Sequence, residues 1–403
     1  MRKTIAITSL SLVLCALTAV CSDKQPASQK EPDKTGKVTS TGHWVPANAE
    51  ELNALIGSGP FILLKDGSIL TVAEDAVKCS ISKDAGKTWT DYPIFDSTNY
   101  IAWSPVVIQT RSGVVIMGFS NGKEKANWNW NKVTHDSPNA ILPAYVIRSL
   151  DGGKTWQDVQ KLHEDWTGMN RDIKETKDGT VVFATMMMRH NPGRHTVLTY
   201  ATKDDGKTWI RSNVIDLGGS GNHAGVMEST LEQLKDGRLW MLLRTNKRYF
   251  WETFSTNDGV TWNEPKATKI DASASPGALK RLADGRLVLV WNRYYPEGKD
   301  SYPLLGGDGN LAEVPCSWQR EELAMMFSDD EGKSWTKPVV IAKSRLQEKC
   351  TLENAWDSKQ WLSYPFVFEP KAGELWITTG HGGLKIRLHE KDYASLGKTF
   401  IAR

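Results

Sequence analysis

The 403 residues carry a net charge of only +3, with 50 Lys and Arg against 47 Asp and Glu, which leaves no electrostatic reason to expect nucleic acid or an anionic membrane surface as a partner. Composition is that of a soluble globular protein, 40% hydrophobic, with one excess: 17 tryptophans. Two or three domains would fit in this length, but repeats spread over most of the chain argue for a single repeat-built domain.

Arg2 and Lys3 precede an apolar run from Ile5 to Val20 that is too short and wrongly flanked to span a membrane and reads as a secretory signal. Cys21 follows in the context LTAVC, then the polar, lysine-rich SDKQPASQKEPDKTGK. This arrangement resembles a bacterial lipoprotein signal in which Cys21 becomes the lipidated first residue, although Val20 stands where Gly or Ala is usual. A soluble exported protein cut nearby is the alternative. The expected location is the periplasm or cell surface, with membrane attachment through lipid on Cys21 and a tether behind it. Residues 1–21 are assigned to the signal, 22–50 to a flexible linker and closing strand, and 51–403 to the repeat domain.

Along that domain, hairpins with a glycine turn recur six times: FILLKDGSILTV from Phe61, VVIQTRSGVVIM from Val106, IKETKDGTVVFA from Ile173, TLEQLKDGRLWM from Thr230, ALKRLADGRLVL from Ala278 and FVFEPKAGELWI from Phe366. Apolar or β-branched residues flank each turn, as a buried hairpin requires. The first five are each followed by an octapeptide: SKDAGKTW (Ser82), SLDGGKTW (Ser149), TKDDGKTW (Thr202), STNDGVTW (Ser255) and SDDEGKSW (Ser328). In each, an Asp or Asn side chain can accept backbone N–H bonds within its own turn. A glycine two residues on permits positive φ, and the closing tryptophan supplies an apolar plate for the core.

These octapeptides are Asp boxes, and five of them resemble the sialidase (neuraminidase) family of six-bladed β-propellers. The resemblance implies an all-β, six-bladed propeller with turns and Asp boxes at the bottom and the ligand in a central funnel at the top. The sixth blade has no Asp box, so a strand near Trp44 is expected to complete it and close the ring.

Counting back nine residues from each turn glycine reaches the top of the innermost strand: Ser58, Ser104, Asn170, Glu228, Pro276 and Tyr364. Counting forward seven reaches the top of its neighbour: Glu74, Ser120, Met186, Arg244, Asn292 and Gly380. A hairpin lays these columns side by side, which gathers Glu228, Arg244 and Tyr364 in one ring.

In the sialidase pattern a tyrosine is the nucleophile and a glutamate its base, because a phenol approaches an anionic sugar uncharged and gives its proton to the neighbour only as it attacks. Glu228 and Arg244 have the family's spacing in ESTLEQLKDGRLWMLLR, Arg320 precedes the fifth Asp box in REELAMMFS, and Tyr364 opens the last hairpin in SYPFVFEP. The resemblance therefore implies Tyr364 as nucleophile, Glu228 as base, and Arg244 and Arg320 as carboxylate ligands. Two family positions differ. Ser58 stands where an arginine of an Arg-Ile-Pro motif belongs, and the loop above the first blade that carries the acid/base aspartate is nearly absent.

Arg171, one residue past the funnel column, is the candidate replacement cation, and Asp172 or Asp75 the candidate acid, with His223 a further polar candidate. A structural Arg171–Asp172 salt bridge is the competing reading. Trp128 and Trp130 of NWNWN, and the insertion from Tyr294 to Trp318, are expected on the upper face, the tryptophans either as a sugar-stacking rim or as loop packing. His190 and His195, flanking an NPGR turn, read as solvated. Of the remaining cysteines Cys79, Cys316 and Cys350, export permits a Cys316–Cys350 disulfide, and their spacing fits no metal site.

The implied activity is an exported glycoside hydrolase releasing a terminal acidic sugar, sialic acid or a relative, from a glycan. The alternatives are a hydrolase or lyase acting on a uronic acid polysaccharide and a non-catalytic glycan-binding propeller. No cofactor is implied, and a monomer is expected.

Overall fold

The computed structural model describes residues 36–344, 361–393, 396, 398 and 399. The signal segment with Cys21, and Cys350, the expected partner of Cys316, lie outside the described residues. Among those described, the regular structure is strand apart from two short 3-10 turns, Gly122–Glu124 and Glu390–Tyr393.

Six antiparallel four-stranded units follow one another around a ring. In chain order, blade 1 comprises Phe61–Leu63, Ile69–Thr71, Lys78–Ser82 and Thr90–Pro93. Blade 2 comprises Ala102–Gln109, Val115–Asn121, Ile141–Ser149 and Gln157–Asp165, and blade 3 Asp172–Glu175, Val181–Arg189, Arg194–Thr202 and Ile210–Arg211. Blade 4 comprises Val226–Gln233, Leu239–Thr245, Tyr249–Ser255 and Lys266–Asp271, and blade 5 Ala278–Arg281, Leu287–Trp291, Glu322–Ser328 and Val339–Ser344. Blade 6 takes three strands from the end of the domain, Ser363–Lys371, Glu374–His381 and Lys385–His389, and its fourth from the beginning, Glu50–Glu51.

Second strands are sandwiched between neighbouring blades, which is why Val115–Asn121, Leu239–Thr245 and Leu287–Trp291 are buried along their whole length and read as nearly unbroken apolar runs. The core is divided into seams between blades. Leu70, Val72 and Cys79 of blade 1 meet Val107, Met117 and Phe119 of blade 2. Val288, Val290 and Met325 of blade 5 meet Leu375, Ile377 and Ile386 of blade 6.

Ring closure by the start of the domain is as the sequence suggests, but the strand differs. Trp44 lies in His43–Pro46, which pairs with Val339–Ser344 at the outer edge of blade 5, where Lys343 lies 5.6 Å from the Trp44 ring centre. The chain reaches blade 6 only at Glu50, which pairs with Arg387 in the sheet and forms an ion pair with its guanidinium. A large half-apolar tryptophan drew the sequence reading toward the wrong edge. The short strand that closes the ring is polar and is held by charge.

In the Asp boxes the hydrogen bonds are those the residue types call for. Ser82 Oγ donates to Asp84 Oδ1 at 2.8 Å and accepts from Gly86 N at 2.8 Å, while Thr88 N and Oγ1 donate to the two carboxylate oxygens at 2.8 and 2.6 Å. The hydroxyl of Thr88 first, then its backbone N–H and Ser82, hold the Asp84 carboxyl down at about 2. The closing tryptophans are unequal: Trp262 and Trp335 are buried, whereas Trp89, Trp156 and Trp209 are half-exposed. The boxes join third to fourth strands, at the same edge of the ring as the glycine hairpins and opposite the starts of the first strands.

Candidate active site

At that opposite edge, the first strand of blade 4 departs from a regular ladder. Pairing runs in one register from Gln233↔Leu239 to Thr230↔Leu242 and would bring Glu228 opposite Arg244. A bulge intervenes, and Met227 takes that place. Glu228 is the extra residue, with φ of 43°, in the left-handed region that non-glycine residues avoid. Its N–H, freed from the ladder, points to Met186 Sδ at 3.2 Å. Tyr364 in blade 6 has φ of 59° and Ser104 in blade 2 has φ of 53°, so alternate blades start with the same backbone deviation. Strain of this kind persists only where surrounding packing imposes it.

The bulge delivers Glu228 into contact with the other two residues of the ring. Tyr364 Oη donates to Glu228 Oε1 at 2.8 Å, Arg244 Nη1 binds Glu228 Oε2, and the same nitrogen lies 3.1 Å from Tyr364 Oη. All three side chains are buried. Burial first, and the neighbouring Glu228 carboxylate second, raise the Tyr364 phenol above its usual range, so the resting phenol keeps its proton and aims it at Glu228. Burial opposes the charge on Arg244, but Glu228 outweighs it and holds the guanidinium above its ordinary value.

Arg320 is equally buried and lies beside this triad. Its Nη2 donates to Ala274 O at 2.9 Å, and its guanidinium carbon is 4.3 Å from the Trp361 ring centre and 5.1 Å from that of Trp318. Above the four residues opens a cavity of about 350 Å³. Trp103, Trp128 and Trp166 form one wall, with Lys125 5.2 Å from the Trp103 ring centre, and Trp318 and Trp361 form the other. Every lining residue belongs to blades 2 to 6 and their upper loops; none comes from blade 1.

Three imidazoles complete the lining. Burial holds His195 down at about 4, burial and the three arginines hold His381 down at about 3, and burial with Arg244 and His195 holds His223 well below its usual value. All three are neutral at pH 7, so the charged groups around the cavity are the guanidinium groups, the Lys125 ammonium and Glu228. Such a pocket suits a small anion carried on a body with apolar faces.

Residues 72–377 match the BNR repeat-like domain. The chain belongs to the BNR repeat-like domain family. Solved structures place this BNR propeller with sialidase-like folds at low identity. The Hadza microbial sialidase Hz136 superposes with a TM-score of 0.56 at 15% identity, over 85% of this chain and 69% of that one. A protein of unknown function from Dyadobacter fermentans gives 0.54 at 16%, over 82% and 93%. The Penicillium chrysogenum α-L-arabinanase complexed with arabinobiose gives 0.50 at 13%, over 89% and 99%. At these identities the likeness is one of fold. A search of curated proteins finds no match to the sequence.

The BNR propeller does not bring every residue singled out in the sequence to the cavity. Arg171 lies beneath Tyr364, its guanidinium carbon 5.4 Å from that ring and 4.5 Å from the ring of Phe366, with Nη2 donating to Pro365 O at 2.6 Å. Burial lowers its pKa. Asp172 turns to blade 4 and accepts from Thr230 Oγ1 at 2.9 Å and Leu231 N at 2.8 Å, so neither the cavity nor a salt bridge with Arg171 claims it. Asp75 is exposed on the blade 1 loop. Ser58 spends its carbonyl on Thr378 Oγ1 across the blade 1 and blade 6 seam.

His195, expected in solvent, is instead buried with Nε2 2.8 Å from Asn222 O, because it belongs to the strand Arg194–Thr202 and its ring lies parallel to that of Trp128; His190 binds Asp136 Oδ1 at 2.8 Å. Trp128 is rim-like, 37% exposed, with its ring centre 4.3 Å from that of Trp166, whereas Trp130 packs into a small cluster with Leu142 and Met188.

Sequence reasoning did not single out Trp103, Trp166, Trp361, Lys125 or His381. The tryptophan excess was the only signal of the three tryptophans, and Lys125 and His381 had none. It also placed Glu74 in the second column without a role. Glu74 is exposed at the top of blade 1 and accepts from Ser104 N of blade 2. The protein packed around it raises its carboxyl to about 7, with the Ser104 N–H and Arg171 opposing the rise and Asp75 adding to it.

Proposed function

We propose that this BNR propeller is an exported glycoside hydrolase that releases a terminal acidic sugar, sialic acid or a relative, from a glycan. The observation that carries the reading is the contact of Tyr364 Oη with Glu228 Oε1 inside a buried, arginine-flanked pocket. In the first step the phenolic oxygen attacks the anomeric carbon, its proton passes to Glu228, and the glycosidic C–O bond breaks as a carboxylic acid at the rim of the site gives its proton to the leaving oxygen. In the second, water attacks the same carbon and gives its proton to the carboxylate left by the first step, the Tyr364–carbon bond breaks, and Glu228 returns the proton to the phenolate, giving net retention. Arg244 and Arg320 would hold the sugar's carboxylate, and the tryptophan walls its apolar faces.

Ser58 favours a second reading of the substrate. Without a guanidinium at the start of blade 1 the carboxylate has one fewer ligand than the sialidase pattern supplies, which suits a uronic acid or another acidic sugar. Export and attachment through Cys21 belong to the same proposal. The test is a panel of glycans ending in sialic, uronic and neutral sugars, with released monosaccharide separated by chromatography. Release of an acidic sugar by the wild type and its loss in both Tyr364→Phe and Glu228→Gln is expected. Release of neutral sugars alone, or full activity in both variants, would contradict the reading.

A further inference from the structure

We infer that Glu74 is the general acid and base of this site, acting from the side of the funnel that blade 1 leaves open. The inference rests on the hydrolase reading above. The cavity has walls on blades 2 to 6 and none on blade 1, so the remainder of a glycan bound with its terminal sugar over Tyr364 leaves past blade 1. The loop between the second and third strands of that blade carries two carboxylates, Glu74 and Asp75. Glu74 lies three residues past the end of the second strand, Ile69–Thr71, at the same count from the turn glycine, seven residues, as Arg244 in blade 4.

Its carboxylate is held in place from below. Ser104 N, the N–H freed where blade 2 makes its own left-handed deviation, donates to Glu74 Oε1 at 2.9 Å. In blade 4 the equivalent N–H, that of Glu228, is taken by the thioether of Met186. A sulfur suffices to occupy that N–H, whereas blade 1 spends a carboxylate there and leaves a second oxygen for other work. Arg171 lies between, within electrostatic reach of Glu74 on one side and of Tyr364 and Glu228 on the other.

The protein packed around Glu74, with Asp75 adding to the effect and the Ser104 N–H and Arg171 opposing it, raises the carboxyl to about 7, the range a group needs to give and take a proton near neutral pH. The three imidazoles lining the cavity have lost their exchangeable charge well below that pH. The Glu74 O–H gives its proton to the glycosidic oxygen as the C–O bond breaks. The carboxylate then takes a proton from the water that attacks the anomeric carbon and displaces Tyr364, which restores the starting state.

Glu74→Gln keeps an oxygen for Ser104 N and should fold. Two glycosides of the same acidic sugar separate the roles, one with a dinitrophenol leaving group that needs no proton and one with an alkyl alcohol that does. The expected result is a loss of kcat/KM of about 10²- to 10⁴-fold on the alkyl glycoside and less than about tenfold on the dinitrophenyl glycoside. The limb of the pH profile near neutrality disappears, and azide restores turnover of the aryl donor in Glu74→Ala. Equal losses on both donors with a lowered Tm would make Glu74 a prop for Ser104 and overturn the inference. So would the same leaving-group signature in Asp75→Asn with Glu74→Gln unaffected. Wild-type protein inactive on both donors would remove the hydrolase reading and this inference with it, whereas an active wild type matched by Glu74→Gln removes the inference alone.

Discussion

Arg244 and Glu228 form a buried ion pair in which Arg244 Nη1 also lies 3.1 Å from Tyr364 Oη, so one guanidinium holds the proposed base and the proposed nucleophile together. The pair is enclosed enough that neither charge is tolerable alone. Arg244→Met is expected to destabilise the fold by about 3–5 kcal/mol in urea unfolding, because it strands the Glu228 carboxylate, and adding Glu228→Gln should recover part of that loss. Arg244→Met that unfolds at the wild-type denaturant midpoint would show that the pair carries no such tension.

The scaffold predicts a different class of defect. Gly153 closes the second Asp box with φ of 93°, and a Cβ there would sit 2.3 Å from Leu70 Cδ1 of blade 1. Gly153→Ala should cost about 1–3 kcal/mol through strained backbone and overpacking, while turnover per folded molecule is unchanged. Paired measurements of Tm and specific activity separate the two effects.

Stability should fall on mild acidification. His163 and His195 are held at about 4 and His381 at about 3, all by burial first, whereas an unfolded histidine titrates near ~6.5. Because the folded values are lowered, the unfolded chain binds more protons throughout the interval between. The contribution of these groups is complete above about pH 6.5 and is lost as pH falls toward 4. Tm measured from pH 7.5 to 4.5 should decline progressively through that window, and a flat profile would contradict the buried neutral imidazoles.

Trp128 stands at the rim, against Trp166. Trp128→Ala should raise KM for the glycan by about 3- to 10-fold, the worth of one stacked aromatic, with little change in kcat or Tm. Loss of folding instead would assign the ring to loop packing.

Much of the propeller was legible because glycine turns and Asp boxes act as a ruler. They set the blade count and gathered Glu228, Arg244 and Tyr364. The register at the top was not legible. A bulge adds one residue without changing the apolar pattern, so Glu228 was expected opposite Arg244 when Met227 lies there. The closing strand was misplaced because Glu50–Glu51 is two polar residues with no apolar signature, while Trp44 nearby has one. The walls escaped notice because Trp103 in the first strand of blade 2, Trp166 just past its fourth and Trp361 just before blade 6 have no common spacing, and only folding brings them to one cavity.

The central claim, that Tyr364 is the nucleophile, has a direct test. Protein incubated with a fluorinated acidic glycosyl donor that forms but slowly releases the covalent intermediate is digested and mapped by mass spectrometry. The account predicts one glycosyl adduct, on the peptide carrying Tyr364, absent in Tyr364→Phe. An adduct on Glu228, or rapid donor hydrolysis with no adduct and an inverted product, would contradict it.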